Sequence, residues 1–201
     1  MKLTSRSVIT LCNKKLYQAR LLLDLAQREF DLLESAQRAQ EPISSSVELL
    51  LQAAVTELRF AYQAMLQELS LQHSLDVLKG EIVALDVQAE FKRREIQAPS
   101  LIQWLVEMER GDGGVIWLHD MLIQYQSQHG LGESQGGTFA VSTDNGDGVV
   151  GRTVSASQIP VKQLDNKKMS ASESLDIERA QLWHRSLKQL VLQCREASLE
   201  F

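Results

Sequence analysis

Four histidines, two cysteines and two glycine-rich runs are the parts of this chain whose residue types could carry chemistry, and their spacing sets what each can do. His73, His119, His129 and His184 form no i, i+4 pair and have no CxxC nearby. A zinc site needs His and Cys ligands at short fixed intervals, so each histidine reads as a surface or helix-end residue. Asp144-Asn145-Gly146-Asp147-Gly148 has the composition of a calcium loop. Such a loop requires oxygen ligands at alternate positions and a bidentate Glu at the twelfth; the third position here is Gly146 and the twelfth Ser155, so the run reads as a turn. Gly111-Asp112-Gly113-Gly114 precedes an apolar-periodic segment, as a phosphate-cradling loop does. It lacks both the GK[ST] ending and a preceding strand, and reads as a helix-to-helix turn. Cys12 and Cys194 fall on the apolar stripes of the first and last helices, where a thiol behaves as a small buried hydrophobe. Two reduced thiols are expected, with a disulfide joining the chain ends as the alternative. No catalytic, cofactor-binding or metal-binding residue is assigned.

The elements that would position these groups are helices. Cys12, Leu16, Ala19, Leu23, Ala26, Phe30 and Leu33 recur at 4-3 spacing, which predicts an amphipathic helix over residues 7–39. The second helix should run to Leu78 or Lys79, with Pro42 in its first turn, the serines at 44–46 as alternative caps and Gly80 closing it. Its apolar set, Val47 through Leu69, is wider than one seam and predicts the most buried helix. Ile82, Leu85 and Ala89 predict a short helix over 81–94. Ser100 with Gln103 suggests a capping box before Leu101–Met108, and Asp112 is placed to cap a helix carrying Val115, Ile116, Leu118, Met121, Leu122 and Tyr125. The final helix, 173–201, sets Ala180, Trp183, Leu187, Leu190, Cys194, Ala197 and Phe201 on one stripe. Trp183 and Trp117 are read as core anchors.

Residues 130–172 break the pattern. They hold seven of the eleven glycines and nine Ser/Thr, with hairpin-like turn chemistry between Thr138–Thr143 and Val149–Val154. So little apolar residue content predicts a flexible insertion or a loose hairpin, because burial would not offset the entropy of ordering it. The expected organisation is therefore an all-α bundle of five to six helices. A helical body spans 1–129, the insertion 130–172, and the helix at 173–201 packs back on the body. A net charge of −5 and 44% apolar residues argue against a nucleic-acid coat or polybasic membrane binder. Lys2, Arg6, Lys14, Lys15 and Arg20 form the one basic block, read as a solvated helix face. No window has the roughly 18 apolar residues of a membrane span, and Val8–Cys12 is too short for a signal peptide, so the expected location is cytoplasmic.

Two resemblances bear on function. Arg179 and His184, separated by Ala-Gln-Leu-Trp, resemble the RxxxxH motif of HEPN helical-bundle domains, in which the pair acts on an RNA phosphodiester. Here Ala180 stands where those domains generally prefer a polar residue. Five positions apart on a helix, the two side chains also diverge by about 140°. Asn13-Lys14-Lys15-Leu16-Tyr17, Trp117-Leu118, and Trp183-His184 through Leu187-Lys188 to Arg195-Glu196 and Phe201 are similar to an uncharacterised all-helical family of gammaproteobacteria, domain of unknown function 6586. That resemblance implies a compact cytoplasmic helical protein and brings no activity, cofactor or catalytic residue. The expected function is a non-enzymatic protein-interaction or regulatory module without a cofactor, binding an unknown protein partner or itself. The alternative is a HEPN-like ribonuclease acting as a dimer.

Overall fold

The computed structural model describes residues 5–35, 45–75, 80–112, 116–129 and 175–199, among which there are six α-helices and no strand. These are α1 (Ser5–Ser35), α2 (Ser45–Gln72), α3 (Ala84–Arg93), α4 (Ser100–Arg110), α5 (Trp117–Gln128) and α6 (Ile177–Leu199). They belong to one compact unit made of 1–132 and 175–201, as the apolar periodicities predict. The hairpin and turn expected within 138–154, and the expected placement of Pro42, lie outside the described residues. No described helix is long and apolar enough to cross a membrane.

α2 is the centre of the bundle because its apolar positions cover more than one face. From Val47 to Leu69 the expected set is buried, with only Leu50 partly covered. α1 packs along α2, and α5 and α6 cover its other sides. Ala19, Ala26, Ala54 and Ala61 are fully buried; their small side chains let the helix backbones approach closely. α6 docks with Ala180, Trp183, Leu187, Leu190 and Cys194 inside, Trp183 being 1% exposed. Its first turns, Ile177 and Ala180, join Leu23 and Ala26 of α1 and Leu51 of α2 in a smaller cluster at one end. Phe30, expected on the same α1 stripe, is 40% exposed. It lies a turn beyond Ala26, past the described start of α6.

The end of α2 and the start of α3 differ from expectation, each for a visible reason. α2 stops at Gln72 rather than near Leu78. Ser74 takes the left-handed conformation (φ 53°), its N–H bonds Leu71 O at 3.1 Å, and the Leu75 N–H bonds Ser70 O at 2.9 Å. That is a Schellman end built on serine, with the apolar Leu75 tucked in beneath it. α3 ends in the same way on Glu95 (φ 56°), with Ile96 N–H to Phe91 O at 3.0 Å. Arg94 ties the two ends together by donating to Ser74 O at 2.7 Å.

α3 also begins later and presents another face. Leu85 and Ala89 are exposed, whereas Ala84, Val87 and Phe91 are buried, because that register puts the large Phe91 ring into the core. Its start is held from outside: the Ala84 N–H donates to both carboxylate oxygens of Glu109, at 2.8 and 3.0 Å. Tyr62 also donates to Glu109, at 2.8 Å. Burial pushes the Glu109 carboxyl above its ordinary range, the Ala84 and Tyr62 hydrogen bonds opposing. The capping expectations for α4 and α5 do not hold. Pro99 and Ile116 are the N-cap residues, without a side-chain cap bond, and Ile116 is 53% exposed.

Candidate functional site

The side chains with unspent chemistry gather where α6 runs antiparallel to α1. Asn13, Leu16, Tyr17 and Arg20 of α1 face His184, Lys188, Val191, Leu192 and Arg195 of α6 across a cleft of about 260 Å³. Behind it, Arg195 makes a two-pronged bond to Glu68 of α2, Nε to Oε1 and Nη2 to Oε2, both 2.9 Å. Its third nitrogen, Nη1, donates to Asn13 Oδ1 at 3.0 Å. Glu68 is 2% exposed, so this pairing is what makes a carboxylate tolerable there. The Glu68 hydrogen bond raises the Arg195 pKa further.

Cys12 and Cys194 lie beside that ion pair, both buried and neither in a disulfide. Burial pushes their thiols up to about 11 and about 12, the nearby Glu68 adding to the effect. Protonated thiols are poor nucleophiles at neutral pH, and these have the character of core residues. The His184 ring sets its Nε2 3.1 Å from Leu16 O; a carbonyl can only accept, so Nε2 carries the hydrogen. Burial lowers the His184 pKa, and the Lys188 and Arg20 charges lower it further. The ring is therefore neutral at pH 7. The positive charge lining the cleft belongs to Arg20, Lys188 and Arg195.

The Arg179–His184 pair does not converge within the chain. Arg179 turns to α5, donating to Asp120 Oδ2 at 3.1 Å with its guanidinium 5.3 Å from the Trp183 ring, while His184 turns to α1. The surface or helix-end expectation holds for His73 and His129, which follow α2 and α5. His73 packs edge-on to Phe91 at 5.2 Å, and His129 lies 4.4 Å from the Tyr125 ring. It holds too for His119, in the first turn of α5 and half-buried with Nδ1 2.8 Å from Glu109 O, and fails for His184, half-buried in the interior of α6. His119 explains Gly111: at φ +75° a Cβ there would meet the imidazole at 3.2 Å. Among the described residues no group of three His, Cys, Asp or Glu could hold a metal. Asp144–Gly148 and Gly113–Gly114 lie outside the described residues.

A second feature escaped the periodicity reading. On the outer side of α1, Leu11, Leu21, Leu25 and Leu32 are 38%, 43%, 47% and 63% exposed. Leu11, Leu25 and Leu32 share one heptad position with Gln18, and Leu21 falls on the intervening one with Lys14 and Arg28. Charge divides along the helix as well. Residues 5–23 carry Arg6, Lys14, Lys15 and Arg20 and no acid, whereas residues 24–35 carry Asp24, Glu29, Asp31 and Glu34 against Arg28. Lys15 is turned inward to Glu57 at 2.9 Å. The signal for this stripe was the seven-residue recurrence of leucine, hidden because the 4-3 stripe already satisfied the demand for a core face.

Comparison with known protein families, with curated proteins and with solved structures finds no match.

Proposed function

We propose that this protein is a non-enzymatic helical interaction module that pairs with a second copy of itself through the outer face of α1. The observation that carries the reading is the exposed leucine stripe on a helix whose two halves have opposite charge. Scattered exposed leucines need no explanation, but four on one face of a helix, interspersed with Lys14, Gln18 and Arg28, make the mixed apolar and polar surface that interfaces use. A helix that is basic in its first half and acidic in its second complements itself when antiparallel. A twofold axis between residues 21 and 22 sets Leu11 against Leu32, Lys14 against Glu29 and Gln18 against Leu25. Every contact then occurs twice.

The size of the surface sets the strength. A 31-residue helix is about 46 Å long and about 10 Å wide, roughly 450 Å² per copy. That is about half of the 800 Å² per partner of a standard interface, which puts the pairing among weak, concentration-dependent associations. In this arrangement α6 is not at the twofold, so Arg179 and His184 of one copy do not meet those of the other, as the ribonuclease alternative requires.

Sedimentation equilibrium over about 10 µM to 1 mM tests the proposal. Wild type should shift from monomer toward dimer with concentration, and Leu25→Glu should remain monomeric while keeping its helical circular dichroism. Lys14→Glu alone should weaken the dimer, and Lys14→Glu combined with Glu29→Lys should restore it, since the contact is then inverted rather than broken. A wild type that stays monomeric throughout, or a double variant no better than the single, defeats the proposal.

A further inference from the structure

We infer that the cleft between α1 and α6 is a binding site for a small organic acid, a carboxylate carried on an apolar body. The floor is apolar, made by Leu16 and Val191, and Tyr17 and Leu192 form walls that are 61% and 50% exposed. Such a surface gains from covering a hydrocarbon group. The charged members are all cations. Arg195 is committed to Glu68 and Asn13, which leaves Arg20 and Lys188 to meet a ligand. Arg20 is 3.7 Å from Asp24 in an exposed pair, an arrangement that contributes little and yields readily. Lys188 has no ion-pair partner among the described residues, and none of the residues lining the cleft is acidic.

Two cations beside an apolar floor match one carboxylate better than a phosphate. A phosphate has no body to cover the floor and is usually held by several convergent donors. The volume agrees with a small ligand. At about 260 Å³ the cleft falls just below the range of pockets that take drug-sized molecules, which suits a short-chain acid such as hexanoate. Neutral His184, fixed by its bond to Leu16 O, adds a rigid wall without adding charge. This inference does not depend on pairing through α1.

The probe is hexanoate, followed by amide chemical shifts of the full chain at pH 7, with 1-hexanol and inorganic phosphate as controls. Hexanoate should bind with a dissociation constant of about 1 mM, as expected for so few atoms. Shifts should be centred on Tyr17, Arg20, His184 and Lys188. Hexanol, lacking the charge, and phosphate, lacking the body, should each bind at least tenfold more weakly. Arg20→Gln with Lys188→Gln should lower hexanoate affinity about tenfold and leave hexanol unchanged, while Leu192→Asn should weaken both. Leu25→Glu should bind hexanoate like the wild type, so failure of the pairing proposal would leave this one standing. Hexanol binding as tightly as hexanoate, phosphate binding as tightly as hexanoate, or shifts spread over Arg6, Lys14 and Lys92 instead of the cleft would each overturn it.

Discussion

The two apolar stripes of α1 lie on one helix and differ in what they are made of and in what covers them. The inner stripe mixes Cys12, Ala19 and Ala26 with Leu16 and Leu23, all 8% exposed or less. Its small residues let α2 and α6 come close. The outer stripe is leucine at each of its apolar positions, and none of its four leucines is less than 38% exposed. Nothing within the described residues uses it. The fold accounts for the inner stripe from Cys12 to Ala26 and leaves the outer stripe on the surface. The lesson is that amphipathic periodicity identifies one face, and a second recurrence on the same helix deserves separate reading.

The largest effect that sharpens this contrast belongs to the core. Trp183→Ala should lower unfolding free energy by about 3–5 kcal/mol, the range for deleting a buried large aromatic. Leu25→Ala on the outer stripe should change it by about 0.5 kcal/mol or less at concentrations where the chain is monomeric. Urea titrations read both. Comparable losses at the two positions would mean that the outer stripe is part of the core. Next in size is the ion pair behind the cleft. Arg195→Met should cost roughly 3 kcal/mol, because it leaves Glu68 charged and buried without its partner, and Arg195→Met combined with Glu68→Met should recover much of that. A loss confined to a few tenths would show Glu68 to be solvated.

Smaller effects test the helix ends and the histidine. Ser74→Gly and Glu95→Gly should each raise stability by about 0.5–1 kcal/mol, since glycine takes the left-handed conformation without the strain of a Cβ. For His184 the folded pKa is lowered from 6.5, by burial first and then by the Lys188 and Arg20 charges, with Asp24 and the Leu16 carbonyl opposing. The unfolded chain therefore binds the proton more readily. The contribution of His184 to stability is fully present above pH 6.5 and is lost as pH falls through the lower folded value. His184→Gln should flatten the decline in stability between pH 7 and pH 5, and an unchanged slope would place the titration elsewhere.

Much of the fold was legible in the residues. The six helices follow from their apolar periodicity, and the Trp183 stripe docks as its spacing requires. The illegible parts have local physical reasons. Ser74 ends α2 in a conformation normally announced by glycine, so no residue type marked that stop. Glu109 caps α3 from another helix, a contact made only by tertiary packing. The α3 face was misread because the 82-85-89 spacing and the 84-87-91 spacing are both helical, and only packing of Phe91 selects between them. The cleft could not be read at all, because Asn13 and Arg195 are far apart in sequence and each alone looks like an ordinary exposed residue.

Cysteine cross-linking tests the central claim most directly, because it reads which residues of two copies meet. Leu11→Cys and Leu32→Cys are prepared separately and then mixed under mild oxidation, the native Cys12 and Cys194 being buried. A disulfide forms only where Cβ atoms come within about 3.5–4.5 Å. Antiparallel pairing through the outer face of α1 predicts a cross-linked dimer in the mixture, containing one copy of each variant, and little in either variant alone. Equal cross-linking of each variant with itself, or none in the mixture, would contradict it.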